Sequence, residues 1–195
     1  MGNQVLEVIS KRRSVRKYKP EQVSEEKLSL ILEAGRFAPS GGNNQTSHFI
    51  VIQNRETLQE LKLLVEKEFA KMEIKKNTYK SIKNSILASK KGGYDFTYNA
   101  PTLIVVANQR GYGNAIADCS VALENMMLEA TSLDIGSCWI NQLHWLDDNE
   151  SINEYMMKLG LANNETICGG LALGYSQISD MAPLARTGNT VTYIK

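Results

Sequence analysis

The sequence has few of the residues and motifs that mark several common classes of site. It contains three cysteines and two histidines in 195 residues. The cysteines lie too far apart for a CxxC pair, so neither a disulfide framework nor a metal site is indicated, and we expect Cys119, Cys138 and Cys168 to be reduced core residues. Neither a GxSxG elbow nor an HExxH pair is present, so His48 and His144 are interpreted as structural.

An excess of charge of one sign is absent as well. The 22 Lys and Arg residues are matched by 21 Asp and Glu residues, which disfavours binding to the phosphate backbone of DNA and gives no reason to expect an acidic membrane partner. No apolar run of about 18 residues occurs, and the N-terminus lacks the apolar segment of a secretory signal. We therefore expect a cytoplasmic protein without nucleic-acid or membrane partners.

The length and the hydrophobic pattern indicate one domain, residues 1–195. The hydrophobic fraction of 43% allows a sizeable core. Periodicity predicts helices over residues 3–11, 25–38, 56–70, 115–133 and 151–159. Strands are predicted over residues 48–53, 102–107, 137–140 and 168–175. The helix over 115–133 is apolar nearly all round, which indicates burial in the core or at a subunit interface.

Two stretches have no regular assignment of this kind. The lysine-rich residues 71–91 are predicted to be mobile or lid-like. Residues 191–194 read as a lone strand-like tail, and a strand without a neighbour in sequence often pairs outside its own domain.

The first of four candidate ligand-binding clusters follows the first helix. Arg12, Arg13, Ser14 and Arg16, here called the cation cluster, could grip a phosphate. The planar fork of arginine matches phosphate oxygens bidentately, and the hydroxyl adds a neutral donor. The alternative is that these cations only favour the C-terminal end of a helix.

The second cluster is a loop that contains Pro39, Ser40, Gly41 and Asn43. Its glycines permit close approach of the backbone to a ligand, and its serine and asparagines could hydrogen-bond the edge of a planar polar ring. The alternative is an ordinary turn. The loop lacks the GxxxxGK[ST] pattern, and no GxGxxG follows a strand, so these two kinds of ATP or dinucleotide site are not supported.

The third and fourth clusters lie in the second half of the chain. Trp139, Ile140, Asn141 and Gln142, here called the ring-lining stretch, could cover one side of an aromatic cofactor, although Trp139 could equally be a core anchor. Arg186 in the sequence LARTGN is either a further phosphate ligand or a solvated surface charge.

Taken together, the four clusters resemble the nitroreductase family of FMN enzymes, in the same order along the chain. The resemblance rests on the segments RRSVRKY, APSGGNNQTSHFIVI, DCSVALENMMLEATSLDIGSCWI and GGLALGY, and it extends over essentially the whole chain. It implies an α+β fold with a mostly antiparallel central sheet flanked by helices. It also implies a homodimer with shared active sites, in which the C-terminal strand is exchanged with the partner.

The resemblance also implies roles for particular residues. Those implied to hold the FMN phosphate are Arg12, Arg13, Ser14, Arg16 and Arg186. Those implied to reach the flavin from the other subunit are Pro39, Ser40, Gly41 and Asn43. Those implied to pass along the ring are Trp139, Ile140, Asn141 and Gln142. No catalytic side chain is predicted, because the cofactor carries the redox chemistry.

The sequence departs from the family pattern at two places. Thr46 and Ser47 follow Gln45 where the family often continues Pro-Trp, and Asn141 and Gln142 stand where many members have Glu-Gly or a glycine. The implied reaction is hydride transfer from NAD(P)H and then reduction of a nitro compound, quinone or flavin, in ping-pong order. Two alternatives stay open: an FMN oxidoreductase with a dedicated metabolite recognised through residues 71–98, walled by Tyr94, Phe96 and Tyr98, and a flavin-binding module without turnover.

Overall fold

Four antiparallel strands form one sheet in the computed structural model, which describes residues 2–179, 182, 183 and 185–195. The strands are β1 (His48–Ile52), β2 (Thr102–Gln109), β3 (Gly136–Ile140) and β4 (Glu165–Gly174), in the spatial order β1-β2-β4-β3. Strand β2 is central because its uncharged, largely β-branched sequence TLIVVANQ is buried at every position but the last. The predicted antiparallel sheet is therefore confirmed.

Helices cover both faces of this sheet. They are α1 (Gln4–Lys11), α2 (Glu25–Arg36), α3 (Arg55–Lys71), α4 (Lys80–Lys91), α5 (Ala115–Ser132), α6 (Gln142–Trp145) and α7 (Glu150–Lys158). Ser24 caps α2 by accepting a hydrogen bond from the Lys27 N–H at 3.4 Å, as the sequence predicts. The predicted helices and strands thus lie within a few residues of the observed ones.

The core consists of two clusters, one on each face of the sheet. Leu103 and Val105 of β2 pack on one face with α3, α4 and α7. Ile104 and Val106 pack on the opposite face with α2 and α5. Successive side chains of a strand point to opposite faces, so a strand buried on both sides is apolar throughout. Cys119, Cys138 and Cys168 are free and buried, as expected.

The prediction that residues 71–91 are mobile is wrong for their second half. Helix α4 packs against α3 and α6, and Ile86 is fully buried with Ser85 and Ser89 beside it. The buried face of α4 carries small serines around one large apolar side chain, and its outer face carries lysines. The helix therefore has too few apolar residues to be predicted from hydrophobic periodicity. The predicted lid is therefore a regular part of the core.

Two further predictions need qualification. Residues 191–194 form no strand within the chain by itself, and their apolar side chains are exposed, Ile194 by 97%. Helix α5 buries one face, whereas Ile116 and Val121 on its other side are exposed by 49% and 39%. Both features leave apolar surface open to a second molecule.

The described residues lack two kinds of feature. None of their helices combines the length and apolar character needed to cross a bilayer. The same residues contain no group of His, Cys, Asp and Glu side chains suited to a metal ion.

Candidate functional site

The cation cluster lies beside the edge strand β3. Ser14 forms an isolated parallel bridge with Ser137, and the Val15 N–H donates to the Ser137 carbonyl oxygen at 2.9 Å. The chain leaves α1 at Arg12 in an extended conformation, with ψ near 131°, which lets it run along the strand. The structure therefore places the first predicted cluster beside β3, the strand that leads into the third.

The arginine side chains of this cluster are held in different ways. Arg12 forms an ion pair with Glu124 of α5 at 3.6 Å and keeps 23% of its side chain exposed. Arg13 donates to the Ser10 carbonyl oxygen at 2.7 Å. The guanidinium of Arg16 lies over the ring of Tyr98, 5.7 Å from its centroid, a cation–π arrangement that orients it.

These donors suit a ligand with one phosphate joined to a planar ring. Three guanidiniums and the Ser14 hydroxyl supply charge-assisted and neutral donors for the phosphate. From the Ser14–Ser137 bridge, three residues along β3 lead to Ile140, a distance of about 10 Å at the rise of a strand. The residues present therefore fit FMN, whose ribityl chain separates its phosphate from its ring.

The ring-lining stretch has side chains of fixed orientation. The Trp139 indole N–H donates to Asn141 Oδ1 at 2.7 Å, and the Asn141 backbone N–H donates to Gln142 Oε1 at 3.1 Å. Gln142 is only 8% exposed and donates from Nε2 to the Tyr94 hydroxyl at 2.9 Å. Ile140 is 4% exposed and belongs to the core.

The loop of the second cluster is anchored to the first turn of α5. The Gly41 N–H points at both carboxylate oxygens of Asp118, each at 3.2 Å. Tyr112 completes the anchor, because its hydroxyl lies 3.1 Å from Asp118 Oδ2 and 3.3 Å from the Gly41 carbonyl oxygen. A Cβ on Gly41 would clash with the Tyr112 hydroxyl and the Asn114 side-chain amide, so a larger residue would have to displace part of this anchor. Asn43 has a positive φ of 58°, which asparagine tolerates better than most residues.

A cavity of about 230 Å³ lies beside this loop. Pro39, Ser40 and Asp118 line it together with Gly35 and Phe49. The predicted loop residues thus border an open space at the start of α5, as a ligand-contacting loop requires.

The loop and the cation cluster contact different sides of α5. The loop is bound to Asp118, whereas Arg12 is bound to Glu124. Six residues along an α-helix correspond to a rise of about 9 Å and a rotation of about 240°. The chain by itself therefore separates the loop from the cation cluster.

Arg186 lies outside the helices and strands. It belongs to the exposed C-terminal residues 185–195.

Sequence reasoning missed one residue that organises the site, Asp118, and it named Tyr94 and Tyr98 only as possible walls of a metabolite pocket. Asp118 anchors the loop. The sequence feature that could have identified it is a single acidic side chain in the first turn of an apolar helix. Tyr94 and Tyr98 contact Gln142 and Arg16. Phe96, predicted with them as a pocket wall, is fully buried and cannot line a pocket.

Comparison with known proteins gives consistent results. The model of the Nitroreductase family matches residues 9–175. The chain is 38% identical to a nitroreductase with bound FMN from Bacteroides fragilis, with 100% of both chains covered and a TM-score of 0.88. It is 30% identical to a nitroreductase with bound FMN from Desulfitobacterium hafniense, again over 100% of both chains, with a TM-score of 0.83. A protein of Archaeoglobus fulgidus, provisionally named NADH dehydrogenase/NAD(P)H nitroreductase, is 31% identical over 87% of this chain and 84% of the relative.

Proposed function

Because the chain belongs to the nitroreductase family, we propose that it is an FMN-dependent oxidoreductase. It takes hydride from NADH or NADPH and reduces a second small aromatic acceptor, a nitro compound, quinone or flavin. The observation that carries this proposal is the pairing of the cation cluster with β3 through Ser14 and Ser137. Relatives with bound FMN at 38% and 30% identity support it.

The protein's part in this function is binding and orientation. The cation cluster and Arg186 hold the phosphate, and the ring-lining stretch lies along the ring. FMN supplies the hydride and electron transfer. NAD(P)H and the acceptor would bind one after the other, in ping-pong order. No side-chain acid or base is assigned.

A homodimer with shared sites accounts for the separation of the loop from the cation cluster. Pro39, Ser40, Gly41 and Asn43 then reach the ring bound to the partner subunit. Support comes from exposed apolar side chains on α1 and at the end of α2, Val5 by 66%, Leu6 by 59% and Phe37 by 79%. The exposed tail, residues 191–194, is then the strand exchanged with the partner. Each chain forms one domain, residues 1–195.

Three free, buried cysteines support a reducing compartment for this protein. We therefore place it in the cytoplasm.

The identity of the cofactor is tested by heating the purified protein and separating the released compound by chromatography. We expect FMN, because the cation cluster suits one terminal phosphate and the chain lacks a dinucleotide fingerprint. Recovery of FAD, or of no flavin after reconstitution, would contradict the proposal.

Anaerobic bleaching by NADH or NADPH, followed by a panel of nitroarenes and quinones, tests turnover. Failure with every acceptor would favour a dedicated metabolite or a module without turnover.

The phosphate role is tested by Arg12→Ala. We expect FMN to bind at least tenfold more weakly, since a charge-assisted contact worth about 1.5–3 kcal/mol is lost. Arg55→Ala is the matched control, because Arg55 is an exposed arginine at the start of α3, and α3 packs on the face of the sheet opposite α5. Equal FMN affinities for the two variants, measured by fluorescence titration, would show that Arg12 does not bind the FMN phosphate.

The shared site is tested by complementation. An Arg12/Arg16 double variant and an Asn43 variant are defective in different halves of a site. Co-refolded heterodimers should regain about half of the flavin sites, because one of their two composite sites is intact. Heterodimers with only the average flavin content of the parents would exclude sharing.

A further inference from the structure

A chain of four hydrogen bonds links α4 to the end of β3. The Asn141 N–H donates to Gln142 Oε1 at 3.1 Å, and Gln142 Nε2 donates to the Tyr94 hydroxyl at 2.9 Å. The Tyr94 hydroxyl lies 2.8 Å from Ser85 Oγ, and Ser85 Oγ donates to the Ser81 carbonyl oxygen at 3.2 Å. A residue of the ring-lining stretch is thereby connected to a helix outside the site.

The bonds in this chain form one consistent donor sequence. The Ser81 carbonyl oxygen can only accept, and when Ser85 gives it its single hydroxyl proton, Tyr94 donates to Ser85. The oxygen of Tyr94 is then an acceptor for the amide nitrogen of Gln142. The amide of Gln142 consequently has one orientation, with its oxygen facing the Asn141 N–H.

Burial strengthens this orientation. Gln142 is 8% exposed and Ser85 is 3% exposed, so water does not readily replace a lost partner of either side chain. Tyr94 packs edge-on against Phe69, with ring centroids 6.3 Å apart. Burial also raises the pKa of Tyr94, so its hydroxyl stays protonated as a donor.

The side chain of Asn141 is oriented in the same network. Its Oδ1 accepts from Trp139, so its Nδ2 is the part left to donate elsewhere. The backbone N–H of Asn141 is occupied by Gln142. Of the two donor groups of Asn141, the backbone N–H is therefore already hydrogen-bonded within the protein, and the side-chain Nδ2 is not bonded in this network.

We propose that Tyr94 is a positioning residue that acts through Gln142 to withhold the Asn141 backbone N–H from a bound flavin. The proposal rests on the proposed function, and it names a determinant of the flavin's reduction potential. Reduced flavin carries more negative charge than oxidised flavin. An added N–H donor beside the ring therefore favours the reduced form, and a withheld one disfavours it.

Tyr94→Phe tests this proposal. Without the hydroxyl, Gln142 loses its acceptor and its amide can turn, which releases the Asn141 N–H. We expect the affinity for reduced FMN to rise about tenfold relative to that for oxidised FMN, which makes the potential about 30 mV less negative for a two-electron couple. Spectroelectrochemical titration of the holoprotein measures this shift without any turnover.

The matched control is Tyr155→Phe. The Tyr155 hydroxyl donates to Glu60 at 2.8 Å between α7 and α3, away from the ring-lining stretch. We expect the wild-type potential in this variant. An equal shift in both tyrosine variants would mean general loosening of the fold and would overturn the proposal.

The route through Gln142 is tested by a double-variant cycle. Gln142→Ala also releases the Asn141 N–H, so Tyr94→Phe should add no further shift in that background. A full additional shift would overturn the proposal. If Tyr94→Phe does not fold, Ser85→Ala replaces it, with an expected shift of about threefold in the same direction and an unchanged potential as the contrary result.

Failure of this inference is distinct from failure of the proposed function. A wild-type protein that binds no FMN would contradict the proposed function. A wild-type protein that binds FMN, with the same potential in Tyr94→Phe, would overturn only the role of Tyr94.

Discussion

At the scale of single residues, Asp118 determines where the loop lies. Its carboxylate is 6% exposed and accepts the Gly41 N–H at the start of the loop. We expect Asp118→Asn to lower the free energy of unfolding by about 1–3 kcal/mol, because a charge-assisted acceptor in a buried place is weakened. FMN affinity should fall as well, since the loop that contains Ser40 and Asn43 loses its anchor. Chemical denaturation and flavin titration measure the two effects.

The same substitution at Asp148 serves as the control. The Asp148 side chain is fully exposed, and it lies 3.8 Å from Arg110, so Asp148→Asn should change stability by less than about 0.5 kcal/mol. If Asp118→Asn has as small an effect, the carboxylate does not hold the loop.

The site could be predicted from sequence only where a residue's role follows from its type and its neighbours in the chain. The cation cluster could be proposed in this way, because arginines beside a serine suit a phosphate ligand. The role of Asp118 depends on Gly41, which is 77 positions away, and that of Tyr94 depends on Gln142, 48 positions away. Such partners are brought into contact only by the tertiary fold, so no local sequence pattern predicts them.

At the scale of elements, α4 is expected to contribute to the stability of the core. Ile86→Ala should cost about 2–5 kcal/mol, because a fully buried side chain is removed and leaves a cavity. Leu87→Ala is the control on the same helix, since Leu87 is 50% exposed, and it should cost less than about 1 kcal/mol. Thermal or urea unfolding gives both values. Equal costs would mean that α4 is not packed as described.

The elements differ in how clearly the sequence predicts them. Strand β2 is evident because burial on both faces forces an uninterrupted apolar run. Helix α4 was missed because Ser85 and Ser89 occupy its buried face, where a pattern search expects larger apolar residues. Helix α5 was predicted to be buried in the core or at a subunit interface, and in the single chain Ile116 on its outer side is half exposed. Apolar periodicity predicts that a helix face will be buried, but it does not show whether the same chain or a second subunit buries it.

At the scale of the whole molecule, the exposed apolar surface of α1 and α2 predicts association. A groove of about 330 Å³ lies there, lined by Val5, Val8, Phe37 and Leu128 among others. We expect Phe37→Glu to convert the dimer to a monomer and to reduce bound flavin, because it places a charge in the apolar contact. Light scattering and the absorbance of the retained flavin measure these outcomes.

Leu63→Glu provides the comparison. Leu63 is 56% exposed on α3, which packs on the other face of the sheet, so this variant should remain dimeric. A wild-type protein that is monomeric at all concentrations, or dissociation of both variants alike, would contradict the proposed interface.

The parallel bridge between Ser14 and Ser137 has a consequence for solubility. Strand β3 is an outer strand of the sheet, and unpaired backbone groups on an outer strand invite pairing with strands of other chains. The residues that follow α1 occupy part of that edge, with Val15 bonded to Ser137. The segment proposed to bind phosphate thus also covers part of this strand edge, so substitutions that detach it are expected to promote aggregation whether or not the cofactor is bound.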